Sequence, residues 1–198
     1  MKKSLLLLLV LPLMGVAGFA QESRQDISVS GTAYIQPFAA GNAVQLHSTV
    51  GFGPLVSYRY LLTPRSGLEL NYQYVQNVQH YLNPTNNVTV HSRFQEISGA
   101  YVHNFTFKNF NPFLEAGPGG YIFSPINDQK TQLQNLGRST NVGALYGGGI
   151  AYELSPSFDI RVEYRGIVVK TPYYNDQNLK TGRYFNISNP VIGVAYHF

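Results

Sequence analysis

The chain has 198 residues, a formal net charge of +4, no cysteine, no tryptophan and an aromatic content of 14%. The lack of cysteine excludes disulfide staples and anchoring through a lipidated leading cysteine. Fourteen Lys and Arg scattered among ten Asp and Glu make no concentrated basic stripe, which sets a nucleic-acid partner aside.

Met1, Lys2 and Lys3 are followed by an apolar run from Leu5 to Val16 that ends in Ala17-Gly18-Phe19-Ala20. Charge, apolar length and small-residue end together predict a cleaved secretory signal peptide over residues 1–20. No comparable apolar run recurs, so no membrane helix is expected. Loss of Lys2 and Lys3 lowers the formal charge from +4 to +2, and residues 21–198 are expected to form one domain.

From Asp26 onward polarity alternates, 15 Tyr, 12 Phe and 19 Gly are spread along the chain, and no segment repeats apolar residues at helical spacing over three turns. The expected fold class is all-β, with strands over residues 27–39, 48–62, 67–81, 90–107, 112–125, 139–154, 157–170 and 183–198. Three short connections carry turn-forming residues: Thr63-Pro64-Arg65-Ser66-Gly67, Lys108-Asn109-Phe110-Asn111 and Ser155-Pro156-Ser157. Their centres, Pro64, Phe110 and Pro156, are spaced 46 positions apart, so each interval holds one strand out and one strand back. Longer polar connections fall near residues 40–47, 82–89, 126–137 and 171–182. Four long loops alternating with three short turns predict a closed antiparallel transmembrane β-barrel of eight strands, with short periplasmic turns and longer extracellular loops.

Phe158, Ile160, Val162 and Tyr164 alternate with Asp159, Arg161, Glu163 and Arg165, so this strand has one apolar and one ionic face. Leu68, Leu70, Tyr72 and Tyr74 stand likewise against Glu69, Asn71 and Gln73. Alternation alone leaves open which face turns inward, because a soluble lipocalin-like barrel reverses the arrangement of a membrane barrel. Aromatic residues toward strand ends, at Tyr58, Tyr60, Tyr81, Phe105, Phe107, Tyr152, Tyr164 and Tyr196, favour two girdles at lipid interfaces.

The last strand ends Val191-Ile192-Gly193-Val194-Ala195-Tyr196-His197-Phe198, and this alternating close on a terminal Phe resembles outer-membrane barrels. Asn111-Pro112-Phe113-Leu114-Glu115-Ala116-Gly117-Pro118-Gly119-Gly120 resembles the fifth-strand opening of the OmpA/OmpX-like barrel-domain family. The resemblance implies a Gram-negative outer-membrane location reached by signal-peptide-dependent export. It also implies that Ile192, Val194, Tyr196 and Phe198 face lipid and serve as the signal read by the barrel-insertion machinery.

Eight strands leave an interior just wide enough for side chains, which argues against a diffusion pore. Arg59, Arg161 and Arg165 are expected inside with Glu69, Glu96, Glu115, Glu153, Asp159 and Glu163, as an ion-paired plug in the periplasmic half. Catalytic acid/base work is the alternative for these carboxylates, weighed against the need of buried ions to pair. His91, Ser92 and Glu96 are the only candidates for a rim-located lipid A-modifying enzyme of deacylase or acyltransferase type, and adjacent residues such as His91 and Ser92 point to opposite faces. No histidine pair has the sequence spacing of a metal site, and no cofactor is expected.

Arg93, Lys130, Arg138, Lys170, Lys180 and Arg183 outnumber Asp128 and Asp176 near the upper loops, a surplus suited either to ordinary solvation or to lipopolysaccharide phosphates. The expected function is that of a monomeric, non-enzymatic barrel in contact with outer-membrane lipid, acting in envelope integrity or loop-mediated surface contact. A lipid A-modifying enzyme and a narrow channel are the alternatives.

Overall fold

The computed structural model describes residues 24–84, 87–132 and 136–198; the expected signal peptide lies outside the described residues. Ten strands follow in order: β1 (Gln25–Tyr34), β2 (Ala39–Gly41), β3 (Val44–Ser48), β4 (Gly51–Thr63), β5 (Ser66–Leu82), β6 (Asn87–Asn104), β7 (Phe110–Pro125), β8 (Ser139–Ser155), β9 (Phe158–Lys170) and β10 (Tyr184–His197). A single 3₁₀ turn, Gln177–Leu179, is the only helical element among the described residues.

Eight of the strands close a ring in which all neighbours are antiparallel. The order runs β5-β4-β1-β10-β9-β8-β7-β6 and returns through β6 to β5. Closure joins the chain ends: Asp26 stands opposite His197 and Val29 opposite Val194. Every hairpin therefore satisfies its backbone groups through both neighbours, as a strand in hydrocarbon must.

The expected first strand over residues 27–39 is shorter than predicted, and the expected loop over residues 40–47 is itself paired. β1 ends at Tyr34, Pro37 breaks the ladder by removing a donor, and β2 and β3 form a hairpin around Asn42 and Ala43, both at positive φ. The hairpin was hidden because Asn-Ala lacks the glycine that usually marks such a turn. It docks on the wall, Gln45 through Ser48 pairing with Leu82 through Gln79.

Burial decides which face turns inward. Val29, Phe52, Val142 and Ile192 are 62%, 76%, 79% and 62% exposed, whereas Glu69, Glu96 and Arg165 are 4%, 0% and 0% exposed. The apolar face is therefore the outer wall, the arrangement of a barrel solvated by lipid, and the lipocalin-like alternative falls.

Outward tyrosines fix their polar ends at two levels. Near the short turns Tyr58 donates to Gln25 (2.7 Å) and the Tyr101 and Ser66 hydroxyls meet at 2.8 Å. Toward the long loops Tyr72 accepts from Gln95 (3.0 Å), Tyr146 accepts from Asn186 (2.5 Å), and Tyr164 meets Ser188 (2.8 Å). Amphipathic rings with a bonded hydroxyl suit the edge of hydrocarbon. Tyr81 departs from the expected girdle: it is fully buried and points into the barrel, with its hydroxyl at 3.0 Å from both Gln79 Oε1 and the Pro172 carbonyl. Its place in the row Glu69, Asn71, Gln73, Val75, Asn77, Gln79 dictates that direction, since side chains repeat every two residues.

Candidate functional site

The lumen has two storeys, and the lower one is ionic. Nearest the short turns, Arg161 Nη2 meets Asp26 Oδ2 at 2.8 Å and His197 Nε2 meets Asp159 Oδ2 at 2.8 Å. One step higher, Arg59 grips Glu69 at 2.6 Å through Nη2 and Nε and lies 4.7 Å over the Phe113 ring. Above that, Arg165 holds three carboxylates: Glu96 at 2.8 Å, Glu115 at 3.2 Å and Glu163 at 3.7 Å. Ser98 also donates to Glu96 Oε1 at 2.6 Å.

Register explains the convergence. Arg59 stands directly opposite Glu69 on β4 and β5, while β9 supplies Asp159, Arg161, Glu163 and Arg165 at every second position of one face. Glycines on β8 make the space, since a Cβ on Gly147 would stand 2.7 Å from Glu115 Oε1 and one on Gly149 would stand 2.5 Å from Glu163 Cβ. Glu153, expected within the set, is only half-buried. Asp26 and His197 were not expected in the set because their inward rows, Asp26-Ser28-Ser30 and Val191-Gly193-Ala195-His197, alternate with apolar residues but carry no second charge to mark an ionic face. A cavity of about 130 Å³ opens at this end, lined by Asp26, Arg59, Asp159, Arg161 and His197 with turn residues.

The upper storey is aromatic and aliphatic. Phe94 packs with Tyr34 at 4.7 Å, Phe123 at 5.2 Å and Tyr121 at 6.1 Å between ring centroids, and Val75, Leu145, Ile167, Val169, Phe185 and Ile187 fill the remainder. The last long loop folds over this core, burying Tyr174 and Leu179. The Tyr174 hydroxyl lies 2.8 Å from Gln79 Oε1 and 2.6 Å from Ser92 Oγ, and burial holds its phenol above the ordinary tyrosine range, so it stays neutral. Tyr174→Phe is expected to cost about 1 kcal/mol of loop docking by leaving Gln79 and Ser92 short of a partner. Amide exchange through residues 171–183 should then be several-fold faster with the barrel intact, and unchanged protection would refute the clamp.

The geometry is that of a closed barrel with an apolar outer wall, and comparison with known proteins agrees. The model of the outer membrane protein beta-barrel domain matches residues 6–198. This chain belongs to that family. No curated protein matches it significantly in sequence. Among solved structures it is similar to Neisserial surface protein A (17% identity, TM-score 0.63, covering 89% of this chain and 98% of that one). It is also similar to the outer membrane protein OprG of Pseudomonas aeruginosa (12% identity, TM-score 0.64, 90% and 97% covered). A third is Ail, the attachment invasion locus protein of Yersinia pestis, solved with the heparin analogue sucrose octasulfate (14% identity, TM-score 0.50, 88% and 99% covered).

As an outer-membrane barrel the protein has a membrane-facing belt, a periplasmic end and an extracellular rim. At the rim the candidate trio separates. His91 faces outward and its Nδ1 lies 2.5 Å from Asp128 Oδ2; that hydrogen bond, with one from the Lys130 amide, holds the Asp128 carboxyl below the usual carboxylate range. Ser92 faces inward against Tyr174, and Glu96 lies deeper, on Arg165. Ile192, Val194, Tyr196 and Phe198 all line the outer wall, with Tyr196 stacked on Phe198 at 6.1 Å.

Proposed function

We propose that this protein is a non-enzymatic, monomeric barrel of the Gram-negative outer membrane with a plugged lumen, acting in envelope integrity through contacts at its outer rim. Residues 1–20 serve as its export signal, residues 21–198 as the barrel domain, and the last strand as its insertion signal. The observation that supports the reading is the succession of lumen contacts above the small periplasmic cavity, from the Asp26–Arg161 pair through the Arg165 carboxylates to the Phe94 cluster and the docked loop. A path for ions would have to break a buried ion pair or open an apolar core, and both are costly. Planar-bilayer recording of the folded protein is expected to give no sustained conductance; steady unitary openings would favour the channel instead.

The outer contact is with lipopolysaccharide phosphates. Arg93, whose guanidinium lies 5.8 Å over the Tyr74 ring, Lys130, Lys170 and Arg183 ring the upper edge where headgroups lie. Reversing Arg93, Lys170 and Arg183 to Glu is expected to weaken lipopolysaccharide co-purification at least several-fold, and undiminished association would remove this contact. Against the enzyme alternative, Ser92, the nucleophile it expects, is turned to the face opposite His91 and bonded to Tyr174. Incubation with lipid A is expected to leave its acylation unchanged.

A further inference from the structure

The docked hairpin brings together residues far apart in sequence. His47 on β3 is the direct cross-strand partner of His80 on β5. Directly opposed residues of an antiparallel pair share one face with Cβ atoms about 5 Å apart. Here that is the outward face, because the flanking Leu46, Gln79 and Tyr81 all point into the barrel. The pair stands on the extracellular extension of β5, beyond Tyr72 and Tyr74, where Gln76 and His80 interrupt the apolar outward row.

Both rings are held in place. His80 Nδ1 is 3.1 Å from Thr89 Oγ1, which leaves Nε2 as its free ring nitrogen, and the His47 ring packs at 4.8 Å on Phe38. A histidine fixed through Nδ1 with Nε2 open is the usual state of a metal-binding imidazole. His91 lies diagonally across from His80 on the same face, but its Nδ1 is bound to Asp128, and no three metal-binding side chains converge among the described residues.

We infer that His47 and His80 form an open, two-imidazole site at the extracellular rim for a borderline transition-metal dication such as Cu²⁺, Ni²⁺ or Zn²⁺, with water completing the coordination. Imidazole suits these ions, whereas Ca²⁺ and Mg²⁺ require oxygen ligands. The ion would bridge β3 and β5, stapling the first extracellular hairpin to the wall across a ladder only four residue pairs long. The sequence spacing of the two histidines gives no hint of this site, because it exists only in the register of a hairpin that looked like a loop.

The test uses the folded protein in nanodiscs titrated with Cu²⁺ and read by electron paramagnetic resonance and calorimetry. One ion per barrel with two nitrogen ligands is expected; His47→Ala and His80→Ala should each lower affinity at least tenfold and reduce the signal to one nitrogen. His91→Ala should keep both nitrogens. Zn²⁺ should slow amide exchange across residues 44–48 in the wild type and not in His47→Ala. Heat-modifiable gel mobility verifies that each variant is folded. Affinity and spectrum unchanged in folded His47→Ala or His80→Ala, or lost in His91→Ala, would overturn the site.

Discussion

Arg165→Met is expected to destabilise the barrel more than any other single change in its lumen, by about 3–5 kcal/mol, the usual cost of removing one partner from a buried ion pair. Arg165 is fully buried and faces Glu96, Glu115 and Glu163, so its loss leaves three carboxylates in a closed interior. The paired groups of the lower storey comprise six carboxylates against three guanidiniums. Carboxylates thus outnumber guanidiniums two to one, with only the His197 imidazole besides, so removing a guanidinium leaves more of them without a partner. Arg161→Leu strands Asp26 alone and should lose less. Glu163→Gln, which removes the carboxylate farthest from Arg165, should cost least and leave the unfolding midpoint unmoved or raised.

Urea unfolding of the refolded protein in lipid vesicles would rank these variants. Glu96→Gln added to Arg165→Met should recover part of the loss, because removing both members of a buried pair is cheaper than removing one. Equal midpoints for wild type and Arg165→Met would show that the network contributes nothing to stability.

Strand number, turn spacing and the sign of each face were legible in the sequence because a membrane barrel writes its solvent into a two-residue period. Phe158 to Arg165 alternates without a break, and the structure places each of its apolar members outside. The upper lumen was less legible for a physical reason. At Ile167-Val168-Val169 and Tyr121-Ile122-Phe123 both faces are apolar, one toward lipid and one toward a packed interior, so alternation by polarity fades where the core becomes hydrophobic. Loop residues were harder still. Tyr174 and Leu179 are buried by tertiary docking, and their segment's polar composition conceals it.

Val162→Arg tests the outer wall as Arg165→Met tests the lumen. Val162 stands between Ile150 on β8 and Ile192 on β10, and the three are 52%, 39% and 62% exposed. Along β9 it falls between the aromatic Phe158 below and Tyr164 above, within the hydrocarbon belt. An arginine there must leave water or thin the bilayer, and the expected cost is about 2–4 kcal/mol. Thr140→Arg, also outward but above the upper tyrosines, is expected to cost only about 0–1 kcal/mol, because the charge reaches the interface. The contrast separates the two environments an exposed apolar face can have. In water both substitutions would be near neutral, since a surface charge on a sheet costs little. Unfolding midpoints in vesicles that were the same for the two variants would mean that β9 does not face hydrocarbon. A large deficit confined to Val162→Arg requires lipid against that wall.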